Sequence, residues 1–165
     1  MEEVNFLCGC NWDPLLAEAL FGEESKSYNL KRVKFWRNLH LVSPGLLAMA
    51  ATNLVEMDVS GLGLTRNQLE VVFTALLEDS KLSKLNIGGN YLDMLDPGLL
   101  ARATCRLEFA DLTATSLKYQ QLEAICAQVC KNTSRLRKLV LKKNNMTLVD
   151  PGLLAGVEER IGSLL

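Results

Sequence analysis

"LSKLNIGGNYL", residues 82–92, matches the spacing L-x-x-L-x-L-x-x-N-x-L at every fixed position. Side chains alternate across an extended chain, so Leu85 and Ile87 share one face of a strand while Lys84 and Asn86 share the other. Asn90 follows at the ninth position. Its amide carries both donors and an acceptor for backbone groups that a bend leaves unpaired. A unit this short cannot enclose a core, so its apolar face calls for neighbours of the same kind.

Those neighbours are present in register. "LRKLVLKKNNM" (136–146) fits with Met at the last position. "LVEMDVSGLGL" (54–64), "LEFADLTATSL" (107–117) and "LKRVKFWRNLH" (30–40) fit with departures, and "EVNFLCGCNWD" (3–13) is a weak sixth. The units start near 3, 30, 54, 82, 107 and 136, so long and short units alternate. Met57 and Val59, and Leu139 and Leu141, are expected to point inward like Leu85 and Ile87; Val140 is expected to point outward. Asn38, Asn90 and Asn144 hold the ninth position; Leu62 cannot do that work, and Thr115 can do it only in part.

A second phrase alternates with the first. "VSPGLL", "LDPGLL" and "VDPGLL" place Pro44, Pro97 and Pro151 at intervals of 53 and 54 residues. Ser43, Asp96 and Asp150 are helix-capping types and Pro suits the first helical position; Asp13-Pro14 repeats the device. In the long units Leu69, Val72, Phe73 and Leu76, and later Leu122, Ile125 and Val129, recur at helical spacing, and Thr65 is placed to cap the first of these helices. Each unit thus reads as strand, turn, helix. Stacked in order they predict one α/β solenoid of about six repeats spanning 1–165. Its curved parallel sheet lies on the concave side and its helices on the convex side.

This pattern resembles the ribonuclease-inhibitor type of leucine-rich repeat, which alternates two repeat kinds. The same type forms the repeat region of cytosolic nucleotide-binding, leucine-rich-repeat immune receptors, and occurs in GTPase activators. The resemblance implies a scaffold that binds a protein on its concave face, with an innate-immune sensor or adaptor as the nearest context. The alternatives are a regulator of an enzyme, such as a GTPase activator, or a fragment of a larger receptor. No phosphate-binding G-x-x-x-x-G-K-[ST] occurs; "FGEESKS" is not one.

The bulk properties narrow the class further. Net charge is −1, which gives no global field for nucleic acid or an anionic membrane. No apolar run reaches the ~18 residues of a membrane helix. "MEEVNFLCGC" places two acids where a signal peptide carries basic residues. The five cysteines, an odd number, suit a reducing compartment. A cytoplasmic protein is expected, with no cofactor. The sequons at Asn132 and Asn145 are read as chance.

No constellation suggests catalysis or a metal. His40 is the one histidine, and no motif ties it to a nucleophile. Cys126 and Cys130, four apart on a helix, are expected to be buried packing residues, and "CGC" at 8–10 lacks further ligands nearby.

The outward strand positions are the informative ones. The second repeat contributes Arg32, Lys34 and Trp36; the third, Glu56 and Asp58; the fourth, Lys84. The fifth adds Phe109 and Asp111, and the sixth Arg137 and Lys142. Lateral ion pairs are expected for Arg32 with Glu56, Lys34 with Asp58 and Glu108 with Arg137. Trp36 and Phe109 are read as exposed, and Trp36 is the expected anchor for a protein partner. The last strand is rich in Arg and Lys and is expected to have no strand beyond it; with Leu164 and Leu165 uncovered, this C-terminal edge is a candidate site of self-association or of a missing continuation.

Overall fold

The computed structural model describes residues 3–5, 30–35, 43–131 and 133–162. Six strands run through the described residues: β1 (Glu3–Asn5), β2 (Arg32–Lys34), β3 (Glu56–Asp58), β4 (Lys84–Asn86), β5 (Phe109–Asp111) and β6 (Lys138–Val140). Five helices alternate with them from β2 onward: α1 (Pro44–Asn53), α2 (Arg66–Leu77), α3 (Pro97–Thr104), α4 (Tyr119–Val129) and α5 (Pro151–Ile161). The strands pair in parallel in the order β1-β2-β3-β4-β5-β6, and each helix packs on the next. This is the expected α/β solenoid. Neighbouring strands stand about 4.8 Å apart, whereas packed helices need about 8–10 Å. The helical layer must therefore be the wider one, and the sheet takes the inner, concave side.

Strand alternation puts the core where the sequence pattern places it. Leu85, Ile87, Met57, Val59, Leu139 and Leu141 are all buried, and so are Val33 and Phe35 of the second repeat. They pack against Leu69, Val72, Phe73 and Leu76 of α2 and Leu122, Ile125 and Val129 of α4 in one continuous cluster. Val140 departs from expectation. It points to the concave side, yet only 8% of it is exposed. Its register partner is Asp111, and the long side chains of Lys138 and Lys142 flank it on the same face of the strand. A short β-branched residue among longer neighbours is shielded on the inner side of a curve.

The helix starts follow the predicted chemistry. Asp96 Oδ1 accepts from Leu99 N at 2.7 Å and Asp150 Oδ1 from Leu153 N at 2.9 Å. Ser43 Oγ accepts from Leu46 N at 3.3 Å. Thr65 and Gln68 form a reciprocal box: Gln68 N donates to Thr65 Oγ1 at 3.3 Å, and Thr65 N donates to Gln68 Oε1 at 2.9 Å. At α4 the lysine at the cap has no acceptor oxygen, and only half of the box survives, Lys118 N donating to Gln121 Oε1 at 2.9 Å. Asp13, Asn38 and the terminal Leu164 and Leu165 lie outside the described residues.

Asparagine ties the units together. Asn90 is fully buried. Its Nδ2 donates to Ile87 O at 2.8 Å and to Val59 O of the preceding unit at 2.9 Å, while Oδ1 accepts from Leu64 N at 3.0 Å. Asn144 repeats the scheme one pair of units later: Nδ2 to Leu141 O and Leu112 O at 3.1 and 2.7 Å, Oδ1 from Leu117 N at 3.2 Å. Thr115 Oγ1 donates to Leu112 O at 2.7 Å, with Asn144 Oδ1 a longer second acceptor at 3.4 Å; its backbone carbonyl takes Leu92 N at 2.9 Å. Leu62 packs against the core instead.

The position before the asparagine has a common backbone demand. Gly61, Gly89, Ala114 and Lys143 stand there in successive units, with φ of 67°, 70°, 54° and 60°. Each of these four units turns through a left-handed residue, although only two of them use glycine for it.

Candidate functional site

Parallel pairing aligns equivalent positions into rows across the concave face. The third positions form the row Arg32, Glu56, Lys84, Phe109, Lys138. The fifth positions form the row Lys34, Asp58, Asn86, Asp111, Val140.

Glu56 is the hub of the first row. Its Oε2 lies 3.0 Å from Arg32 Nε, and its Oε1 accepts from Lys84 Nζ. Further along, Lys138 Nζ sits over the Phe109 ring, 5.6 Å from its centroid. Phe109 is thus half-buried rather than freely exposed. In the second row Lys34 Nζ lies 3.3 Å from Asp58 Oδ2. All three lysine and arginine side chains of these pairs remain about half exposed, so each pair contributes roughly 0–1 kcal/mol.

These rows enclose an open depression of about 230 Å³ lined by Arg32, Lys34, Glu56, Asp58, Lys84 and Asn86, with Phe109 at its β5 side. Six of the residues expected from sequence therefore come together. Asp111 continues the second row but does not line the depression. Arg137 and Lys142 lie exposed at the β6 edge. Trp36, the expected aromatic anchor, and His40 lie outside the described residues.

The expected pair of Glu108 and Arg137 is corrected. Their contact runs through the backbone, Arg137 N donating to Glu108 O at 2.9 Å, and no side-chain ion pair joins them. Both occupy the second position, ahead of strands that begin at Phe109 and Lys138. Side chains there leave from the approach to the strand rather than from the ladder that fixes the third and fifth positions.

Sequence reasoning missed the second duty of the fifth-position residues. Asp58 Oδ1 accepts from Ser60 N at 3.1 Å and Ser60 Oγ at 2.7 Å. Asn86 Oδ1 accepts from Gly88 N at 3.1 Å, and Asp111 Oδ1 from Thr113 N at 2.9 Å. Each closes the bend after its own strand. The signal was an Asp or Asn two residues before Ser, Gly or Thr. Asn145 does the same for Thr147 N at 3.2 Å, which gives "NMT" a structural meaning.

Gln121 was missed as well. It is buried, and its Nε2 donates to Leu92 O and Leu95 O of the preceding unit at 2.8 and 2.7 Å. "LTRNQLE" (64–70) and "LKYQQLE" (117–123) carry this glutamine at the same place in the long units that start near 54 and 107. Three large apolar side chains, Tyr91, Met94 and Leu148, are exposed on loops entering α3 and α5. Met94 and Leu148 each stand three residues before the repeated proline.

The thiols divide. Cys126 is fully buried, and burial, with smaller contributions from Cys130 and Cys105, pushes its pKa up to about 11. Burial also raises Cys105, against a hydrogen bond from Ser134 and the charge of Lys131. Cys130, expected to be buried, is exposed. It is the residue just past the last turn of α4, where the helical stripe that buries Cys126 no longer applies. Among the described residues no group of three or more His, Cys, Asp or Glu is placed to hold a metal ion. Cys8 and Cys10 lie outside the described residues.

No protein-family model matches the chain, and no curated protein matches it. Among solved structures, the tropomodulin C-terminal domain of Caenorhabditis elegans superposes with a TM-score of 0.64, covering 88% of this chain and 89% of that one at 16% sequence identity. At that identity the likeness concerns the fold, and it agrees with a leucine-rich-repeat solenoid.

Proposed function

We propose that this chain is a binding scaffold, taking a protein partner on its concave face, with no chemistry of its own. The observation that carries the reading is the depression across β2, β3, β4 and β5. It is open and shallow, and its charges already neutralise one another along the rows. Small-molecule sites are clefts or cavities that bury most of the ligand's surface, which an open depression does not. A broad face combining arginine with an aromatic ring suits a protein surface. The raised pKa values of Cys105 and Cys126 argue against either as a nucleophile.

The alternation of two repeat kinds supports a ribonuclease-inhibitor-type ancestry, with the repeat regions of cytoplasmic immune receptors as nearest context. Buried free thiols at Cys105 and Cys126 fit such a reducing home.

Replacing Phe109 with the photo-crosslinker benzoylphenylalanine tests the proposal. Irradiation in a cell extract is expected to link a discrete protein at that position. The same group at Ala127, exposed on α4, is expected to give none. Equal yields from both faces would refute a concave-face partner.

A further inference from the structure

Tyr91, Met94 and Leu148 all lie on one rim of the solenoid, where the chain passes from a strand to a helix. Met94 and Leu148 occupy the same place in a tight turn that two alternate units share. Leu95 N donates to Leu92 O at 3.0 Å, and Val149 N donates to Met146 O at 3.1 Å. Leu92, Leu95 and Val149 are buried and Met146 packs against the core, so both ends of each turn are anchored inward. The third residue of the turn is left to point out. The turn itself fixes this exposure, not the want of a neighbouring unit: two further units follow Met94 and leave it 57% exposed.

Turn tips favour Gly, Asn, Asp and Ser. Here the sequence repeats an apolar residue instead: Leu41 precedes Pro44 by three residues, as Met94 precedes Pro97 and Leu148 precedes Pro151. Leu41 lies outside the described residues. An apolar side chain that recurs at exposed tips of one rim points to a contact outside the chain. The charge around the tips is acidic. The turns and the helix starts beside them carry Asp93, Asp96, Glu123 and Asp150 against one base, Lys118, whose Nζ lies 4.0 Å from Asp93 Oδ2. Lys142 and Lys143 stand earlier, at the bend that follows β6. The turn backbone is already engaged as well: Leu92 N donates to Thr115 O at 2.9 Å, and Thr147 N to Asn145 Oδ1 at 3.2 Å.

We propose that this rim is a docking surface for a basic amphipathic helix of a partner protein, laid across the units with its apolar stripe on Tyr91, Met94 and Leu148. An extended segment would need backbone groups to pair with, and the turns offer none; a helix satisfies its own backbone and binds by its side chains. Tips two units apart are separated by between about 10 Å, two strand spacings, and about 20 Å, two helix spacings. A helical stripe presents an apolar side chain about every 5.4 Å and so reaches both tips. Lys or Arg beside the stripe meets the acids that flank the tips. A second copy does not fit by the same rim, because acid would meet acid, and an anionic membrane is repelled likewise. The rim is a different surface from the concave depression, and the proposal stands independently of that reading.

The test is fluorescence anisotropy on the full chain with a labelled peptide of leucine and lysine, about 18 residues and so about 27 Å long as a helix. Its leucines are spaced to form one stripe. Saturable binding that weakens with added salt is expected. Tyr91→Ser and Met94→Ser, both exposed changes, are each expected to weaken it about threefold or more, and together about tenfold. The circular dichroism spectrum of the chain is expected to stay unchanged. Ala127→Ser, exposed on α4, is expected to leave binding as it was. A peptide of the same composition, reordered so that no stripe forms, is expected to bind at least about tenfold more weakly.

Absence of saturable binding would overturn the proposal, as would equal binding of the reordered peptide or indifference to Tyr91→Ser and Met94→Ser combined. Vesicles of phosphatidylcholine and phosphatidylglycerol that bind the chain through Met94 would overturn it too, showing a lipid-binding rim. Sedimentation that reveals a dimer dispersed by Met94→Ser would do the same, by assigning the rim to a second copy.

Discussion

Replacing Asn90 by Ala should be among the most damaging single changes in the chain. Asn90 closes three hydrogen bonds of 2.8–3.0 Å to Ile87 O, Val59 O and Leu64 N while fully buried. Ala removes all three and leaves two carbonyls and one amide away from water. A buried hydrogen bond contributes about 0.5–1.5 kcal/mol net, and an orphaned partner raises the loss toward 1–3 kcal/mol. The expected cost is about 3–5 kcal/mol, a large share of the 5–15 kcal/mol typical of a domain. Asn144 makes the same bonds but is only half-buried, so water can replace part of them. Asn144→Ala should cost about 1–2 kcal/mol. Asn90→Asp keeps the shape but presents oxygen to two carbonyls, and at neutral pH it should be at least as harmful as Ala. Urea denaturation of the four proteins, followed by circular dichroism, provides the free energies. A cost below about 1 kcal/mol at Asn90, or equal costs at the two asparagines, would show that the ladder does not hold the units together.

Leu139→Ala should cost about 2–5 kcal/mol by denaturation, as a fully buried leucine, and Val140→Ala less but measurably, because Val140 is shielded too. Ala114→Gly and Lys143→Gly should each stabilise by up to about 1 kcal/mol, since both side chains sit at positive φ; thermal melts that fall instead would mean the side chains carry compensating contacts. Gly88→Ala should destabilise, because a β-carbon there lands 3.1 Å from Thr113 O. Iodoacetamide near pH 8 should alkylate Cys130 well before Cys105 and Cys126, read by peptide mass spectrometry; equal rates would contradict the burial. The folded-state pKa of Cys126 lies above its ordinary 9.0, at about 11, so the stability tied to its neutral thiol is fully present below pH 9. It is lost as pH rises from there through 11, and a stability maximum in that window would refute it. Amide exchange should be faster at Leu141 and Lys143 than at the equivalent, bonded Ile87 and Gly89.

What the sequence made legible follows from constraints that act within one unit. Alternation across a strand fixed the inward set from Met57 to Leu141, and cap chemistry fixed the starts of α1, α2, α3 and α5. Asn90 was readable because an amide at the bend has one sensible use. The misses depend on what lies beside a unit rather than within it. Val140 is shielded by its neighbours, Cys130 falls just past the end of its helix, and Phe109 is covered in part by Lys138 of the next strand. The absent pair of Glu108 and Arg137 turns on where the strands begin, a boundary of one residue that periodicity does not resolve. Gln121 bridges two units, and its trace in the sequence was a recurrence at long range, visible only when the two long units are aligned with each other.

The candidate site carries the same lesson into function. Residue types on the concave face suggested a charged binding surface, yet the rows show Arg32, Lys84 and Lys34 already engaged with Glu56 and Asp58. A partner meeting those groups must displace or share existing pairs, so their net contribution to affinity is small and their role is to set register and exclude mismatched charge. Asp58 and Asp111 are further committed to closing their own bends. The strong contributions must come from surface that no existing pair engages, above all the side of Phe109 that lines the depression. A charge-neutralising scan should therefore be flat across Arg32, Lys34 and Lys84, each change altering partner affinity by no more than about fivefold, and Phe109→Ala should be the steep change. A scan that is steep across the first set would place the binding energy in the concave charges and require the rows to open when the partner arrives.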